Sequence, residues 1–97
     1  MAFNGLTDAQ AERLAVLGEE LGEAQQAIGK ILRHGYESYH PLAVQTESNR
    51  EALQRELGDL LHAMNRMTSA SDLDPLSIAM RAESKPEKIK PYLHHQD

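Results

Sequence analysis

The chain has 97 residues, with 15 acidic and 10 basic side chains, no Cys, no Trp and 40% hydrophobic content. That length makes one small domain whose lone monomer has marginal stability, and the lack of Cys excludes a disulfide scaffold, a thiolate zinc site and a thiol nucleophile. A net charge of −5 argues against a nucleic-acid partner, and the short apolar runs leave no membrane span and no signal-peptide core. The expectation is an acidic, cytoplasmic protein that needs a second copy of itself.

Thr7-Asp8-Ala9-Gln10 reads as a capping box, a Thr followed three residues later by Gln. From there Leu14, Leu17, Leu21, Ala24, Ile28 and Ile31 recur at steps of three and four, the helix period. His34-Gly35 supplies a stop, so a first helix is expected over about 8–34. Residues 35–46 hold Gly, Pro, Tyr36 and Tyr39 without a period and read as a loop. Thr46 or Ser48 opens a second helix, striped by Leu53, Leu57, Leu60, Leu61, Met64 and Met67, which ends in Thr68-Ser69-Ala70-Ser71. Asp74-Pro75 is an N-cap followed by Pro at the first helical position, and a third helix runs to about Arg81 or Ala82. Pro86 and Pro91 break up the remaining tail, which has room for one last short turn.

The predicted fold is all-α: an antiparallel helical hairpin plus one or two short C-terminal helices, completing a four-helix bundle by oligomerisation into a homodimer or homotetramer. It forms one domain over 1–97, with a core over about 8–82 and a basic tail over 83–97. Charge is uneven along it. Asp8, Glu12, Glu19, Glu20 and Glu23 face only Arg13 in the first stretch, whereas Arg81, Lys85, Lys88 and Lys90 outweigh Glu83 and Glu87 in the tail.

Each long helix carries acids three residues apart, Glu20 with Glu23 and Glu56 with Asp59. Such residues share a face on neighbouring turns and can hold one cation jointly. At about 100° per residue, Glu20 and Glu56 lie roughly 70° from the centres of their apolar stripes, and Glu23 and Asp59 roughly 130°, in the same sense. An antiparallel pairing brings both pairs out on one flank. No basic residue interleaves with them at flanking positions of the same turn, so the converging acids repel and lose hydration without a counterion. A solvated acidic face is the ordinary alternative. All-oxygen coordination suits Mg²⁺, or Mn²⁺, rather than zinc.

Glu19-Glu20-Leu21-Gly22-Glu23, a long gap, then Glu56-Leu57-Gly58-Asp59-Leu60-Leu61 resembles the MazG-like all-α nucleoside triphosphate pyrophosphohydrolases, whose signature is EExxE followed by ExxD on consecutive helices. The Asp74-Pro75 helix start and the Lys-rich stretch after it are similar to the family's closing helix. The resemblance covers roughly residues 10–90. It implies that Glu20, Glu23, Glu56 and Asp59 ligate Mg²⁺ and that Glu19 assists catalysis by orienting a water or a ligand. It also implies Mg²⁺-dependent hydrolysis of a nucleoside or deoxynucleoside triphosphate to the monophosphate and pyrophosphate. The stretch between Glu23 and Glu56 is longer than in the compact members of the family, which leaves the base preference open.

A triphosphate needs cationic partners. Lys30, two turns from Glu23 on the same flank, Arg33 near the loop, and Lys85 and Lys88 in the tail are the substrate-binding candidates, each with an ordinary solvated role as its alternative. His62 lies on the far side of its helix from Asp59 and reads as structural or solvent-facing, and His34 as a helix-terminal cation. His94 and His95 lack a third ligand. Tyr36, Tyr39 and His40 can stack on a base or anchor the loop. Two rivals remain: a non-catalytic helical module that binds nucleotide or a protein partner, and a purely structural helical dimer.

Overall fold

The computed structural model describes residues 3–42 and 46–96. The expectations that fall on 1–2, 43–45 and 97 lie outside the described residues. The elements are α1 (Asp8–His34), α2 (Asn49–Ser69), α3 (Pro75–Ile89) and a 3-10 turn (Lys90–Tyr92). Among the described residues the only β pairing is an isolated bridge between Tyr39 and Ser48.

Helix ends follow local chemistry. Thr7 and Gln10 form the expected reciprocal capping box at α1, and Gly35 closes the helix at φ 88°, with its N–H donating to Ile31 O. Ser48, not Thr46, caps α2, in a second capping box with Glu51. Asp74 accepts from Leu76 N–H and Pro75 opens α3. This third helix outruns its expected end near residue 82 and carries Pro86 inside it. The proline removes a single intrahelical donor. The helix then continues for one more turn, because Lys90 N–H still finds Pro86 O, and narrows to 3-10 geometry at Pro91.

α1 and α2 pack antiparallel. At the loop end, Asn49 Nδ2 donates to Gly35 O and Arg50 N–H to Tyr36 O. At the far end, Arg13 near the start of α1 grips Asp72 just beyond α2. The seam is built on small residues: among the described residues, the buried apolar side chains are Ala24, Ala27, Ala63 and Met67. Alanines let the two backbones approach closely, and this rotates the seam away from the centres of the apolar stripes. Leu21 and Leu61 are left 51% and 56% exposed, with Leu14, Ile28 and Leu57 also uncovered. The hairpin therefore draws its acid-bearing flank partly inward and presents much of its leucine stripe outward. α3 buries no residue and packs mainly on the 3-10 turn that follows it. Among the described residues no helix is long and apolar enough to cross a membrane.

Candidate metal centre

Helical spacing sets Glu20 and Glu23 on adjacent turns of α1, and Glu56 and Asp59 on adjacent turns of α2. The antiparallel pairing puts both pairs at one level. One carboxylate oxygen from each of the four lies within 4.8 Å of the others. The seam's rotation draws three of the four acids inward along the flank expected of them. Glu56 is 8% exposed, Glu20 and Glu23 are half-buried, and Asp59 stays open to solvent.

Two atoms in this cluster are out of place in a self-sufficient protein. Glu20 Oε2 and Glu56 Oε2 are both buried and have no hydrogen-bond partner. A buried carboxylate oxygen without a donor carries a full desolvation cost. The Glu23 carboxyl is pushed above its ordinary value, chiefly by the Glu56 carboxyl set against it, then by repulsion from Glu20, burial and the charge of Glu19. Orphaned oxygens and a displaced acid mark a site short of positive charge. The donor set is all oxygen, which fits Mg²⁺ or Mn²⁺ held by Glu20, Glu23, Glu56 and Asp59. Glu19 is exposed and stands outside the four.

One expectation is corrected: a basic residue does reach the acids. Arg55 Nη1 donates to Glu56 Oε1 at 2.9 Å, while Nε and Nη2 hold the two oxygens of Glu47 at 3.0 and 3.1 Å. Adjacent helix positions point about 100° apart, so spacing gives no reason to pair Arg55 with Glu56. The long guanidinium bends back because Glu47, in the loop before α2, anchors its other edge. The Arg55–Glu47 ion pair holds the Glu47 carboxyl below its ordinary range and the guanidinium firmly protonated. Arg55 satisfies one oxygen of Glu56 and leaves the other bare.

The cationic candidates divide. Lys30 and Arg33 line a cavity of about 420 Å³ at the loop end of the hairpin, together with Tyr39, His40, Glu47 and Arg55. Lys85 and Lys88 are exposed on α3, outside both the carboxylate cluster and this cavity. Tyr36 lies beneath the Arg50 guanidinium, 4.3 Å from its ring centre, so its place in the loop is an anchoring one. His40 Nδ1 accepts from Leu42 N–H. His62 is exposed, as expected, and with Arg13, Asn65 and Arg66 it lines an open depression at the opposite end of the hairpin.

No protein-family model, curated protein or solved structure matches this chain.

Proposed function

We propose that the protein is a Mg²⁺-dependent nucleoside triphosphate pyrophosphohydrolase acting in the cytoplasm, as the resemblance of its two acidic motifs to the MazG-like enzymes implies. The observation that carries the reading is the approach of Glu20, Glu23, Glu56 and Asp59 to within 4.8 Å, with buried oxygens of Glu20 and Glu56 left without donors. Like charges are gathered there at a cost that a cation repays. These four side chains hold the ion. When bound, it neutralises phosphate oxygens and acidifies water.

The chain's own groups supply the rest. Glu19, exposed beside the cluster, orients the attacking water and takes its proton on a carboxylate oxygen. Water adds to the α-phosphorus, the bond to the bridging oxygen of the β-phosphate breaks, and pyrophosphate leaves with that oxygen. Arg55, fixed by Glu47, holds Glu56 Oε1 and so fixes the carboxylate plane of the most buried acid.

The same reading includes a homodimer or homotetramer. A hairpin whose buried apolar residues are three alanines and a methionine has too thin a core for a lone domain. The outward Leu21, Ile28, Leu57 and Leu61 supply the face that a second hairpin covers to complete a four-helix bundle. α3, unburied on its own hairpin, is free to carry Lys85 and Lys88 towards a neighbouring subunit's carboxylates.

The test is a panel of nucleoside and deoxynucleoside triphosphates with Mg²⁺, scored for pyrophosphate, with Glu56→Gln as control. Pyrophosphate release that Glu56→Gln abolishes is expected. Release of inorganic phosphate, or no saturable Mg²⁺ site by calorimetry, refutes the reading.

A further inference from the structure

The half-open cavity at the loop end is lined by the last turns of α1, the first turns of α2 and loop residues 38–41 and 47. At about 420 Å³ it falls within the range of small-ligand sites. Its charge is opposite to that of the chain. Lys30, Arg33 and Arg55 face it, against a single carboxylate, Glu47, which Arg55 already neutralises through two hydrogen bonds. Lys30 and Arg33 enter no ion pair among the described residues. In a protein of net charge −5, two uncommitted cations thus converge on one hollow.

That hollow adjoins the carboxylate cluster. Arg55 forms part of the cavity wall and also donates to Glu56. Lys30 lies seven residues beyond Glu23, about 10 Å along the helix axis, and its flexible stem shortens that gap. One extended ligand can touch both places.

We propose that this cavity is the polyphosphate end of the substrate site: Lys30 and Arg33 hold the terminal phosphates of the nucleotide, and the base lies outside. The identity of the anion as a nucleotide's polyphosphate rests on the function proposed above; the cavity's preference for a phosphate anion does not. Ammonium and guanidinium groups are strong donors to phosphate oxygens and gain little from a neutral base. The pyrophosphate that leaves is then already seated among its cations. Free pyrophosphate is accordingly a ligand of the protein even without metal.

Calorimetry on the full chain in chelator, with inorganic pyrophosphate or a free nucleoside as probe, tests this. Pyrophosphate is expected to bind one site. Its Kd should rise tenfold or more in Lys30→Ala/Arg33→Ala, whose exposed positions leave the fold intact, and Arg33→Lys should recover part of the loss. No pyrophosphate binding, an unchanged Kd in the double variant, or nucleoside binding that depends on the same two residues overturns the proposal. Asp59→Asn separates the two readings, because it removes a cluster acid that touches neither Arg55 nor the cavity. It should abolish hydrolysis while leaving metal-free pyrophosphate affinity within a few-fold. If no triphosphate is cleaved by the unaltered protein but pyrophosphate still binds through Lys30 and Arg33, the catalytic reading falls and the anion site stands.

Discussion

Glu23 on α1 and Glu56 on α2 meet across the helix pair, with carboxylate oxygens within 4.8 Å of one another, and the Glu56 carboxyl is the largest of the influences that lift the Glu23 carboxyl above its ordinary 4.5. A carboxyl whose value is raised by folding stabilises the folded state below its unfolded value. That contribution is lost as pH rises through the raised one. In chelator, the melting temperature should therefore fall as pH is taken upward from about 4.5, and Glu23→Gln should flatten the slope. The lowered carboxyls of Asp72 and Glu47 act in the opposite sense and at lower pH, so they do not mask it. Mg²⁺ should reverse the loss near neutrality and do little near pH 4.5, where protons compete with the cation for carboxylate oxygens. A melting temperature in chelator that ignores both pH and Glu23→Gln would count against the raised Glu23 carboxyl.

Glu56 and Glu19 should separate cleanly on substitution. Glu56→Gln keeps the shape of a buried side chain while removing one of the repelling charges, so the metal-free protein should melt higher than the unaltered chain and lose its saturable Mg²⁺ response. Glu19→Gln, outside the four converging oxygens, should bind Mg²⁺ normally and release pyrophosphate about 10²-fold more slowly, the loss of a positioned proton acceptor. Parallel loss of metal binding in Glu19→Gln would move that residue into the ligand set.

The far end of the hairpin is tied by Arg13 and Asp72, Nε to Oδ2 at 2.6 Å and Nη2 to Oδ1 at 3.0 Å. This two-pronged contact fixes the turn after α2 against the start of α1, some distance from the carboxylates. Arg13→Ala should lower the melting temperature more than Asp72→Asn, because it strands an acid whose side chain is 11% exposed. Folding lowers the Asp72 carboxyl below its ordinary 3.8. The stabilisation from the pair is thus complete above that value and lost as pH falls through the lowered one. A double-mutant cycle on thermal melts measures the coupling, and metal binding should be unchanged throughout.

The parts of this architecture governed by neighbours in the chain were legible in the sequence. The capping box at Thr7, the opening of α2 at Thr46 or Ser48, the Asp74-Pro75 start and the three-residue spacing of the acids depend only on local geometry, and they led to the three helices and to four carboxylates at one level. What depends on how two helices roll against each other was not legible. An apolar stripe shows which side of a helix avoids water, but not whether one partner or several will cover it. Here the alanines pull the seam to one edge of the stripe, which buries Glu56 and exposes Leu61. Arg55 escaped for a related reason: its partner Glu47 lies in an irregular segment whose path no period describes. The run of α3 through Pro86 escaped because a proline forbids one hydrogen bond and not the next.

That same roll of the seam leads to the last prediction. Leu57 and Leu61 lie one turn apart on α2, each about half exposed, on the same helix as Glu56 and Asp59. If a second hairpin covers them, charging that face should separate the copies and loosen the carboxylates together. Leu57→Glu/Leu61→Glu should reduce the mass seen by light scattering or sedimentation to that of one 10.8 kDa chain, lower the melting temperature and weaken Mg²⁺ binding. Lys85→Ala/Lys88→Ala should leave the mass unchanged and raise KM for the triphosphate if α3 reaches a neighbouring subunit. A protein that is already a monomer before substitution, or a double glutamate variant with unaltered mass, removes the oligomeric bundle and leaves the carboxylate cluster to be explained by the hairpin alone.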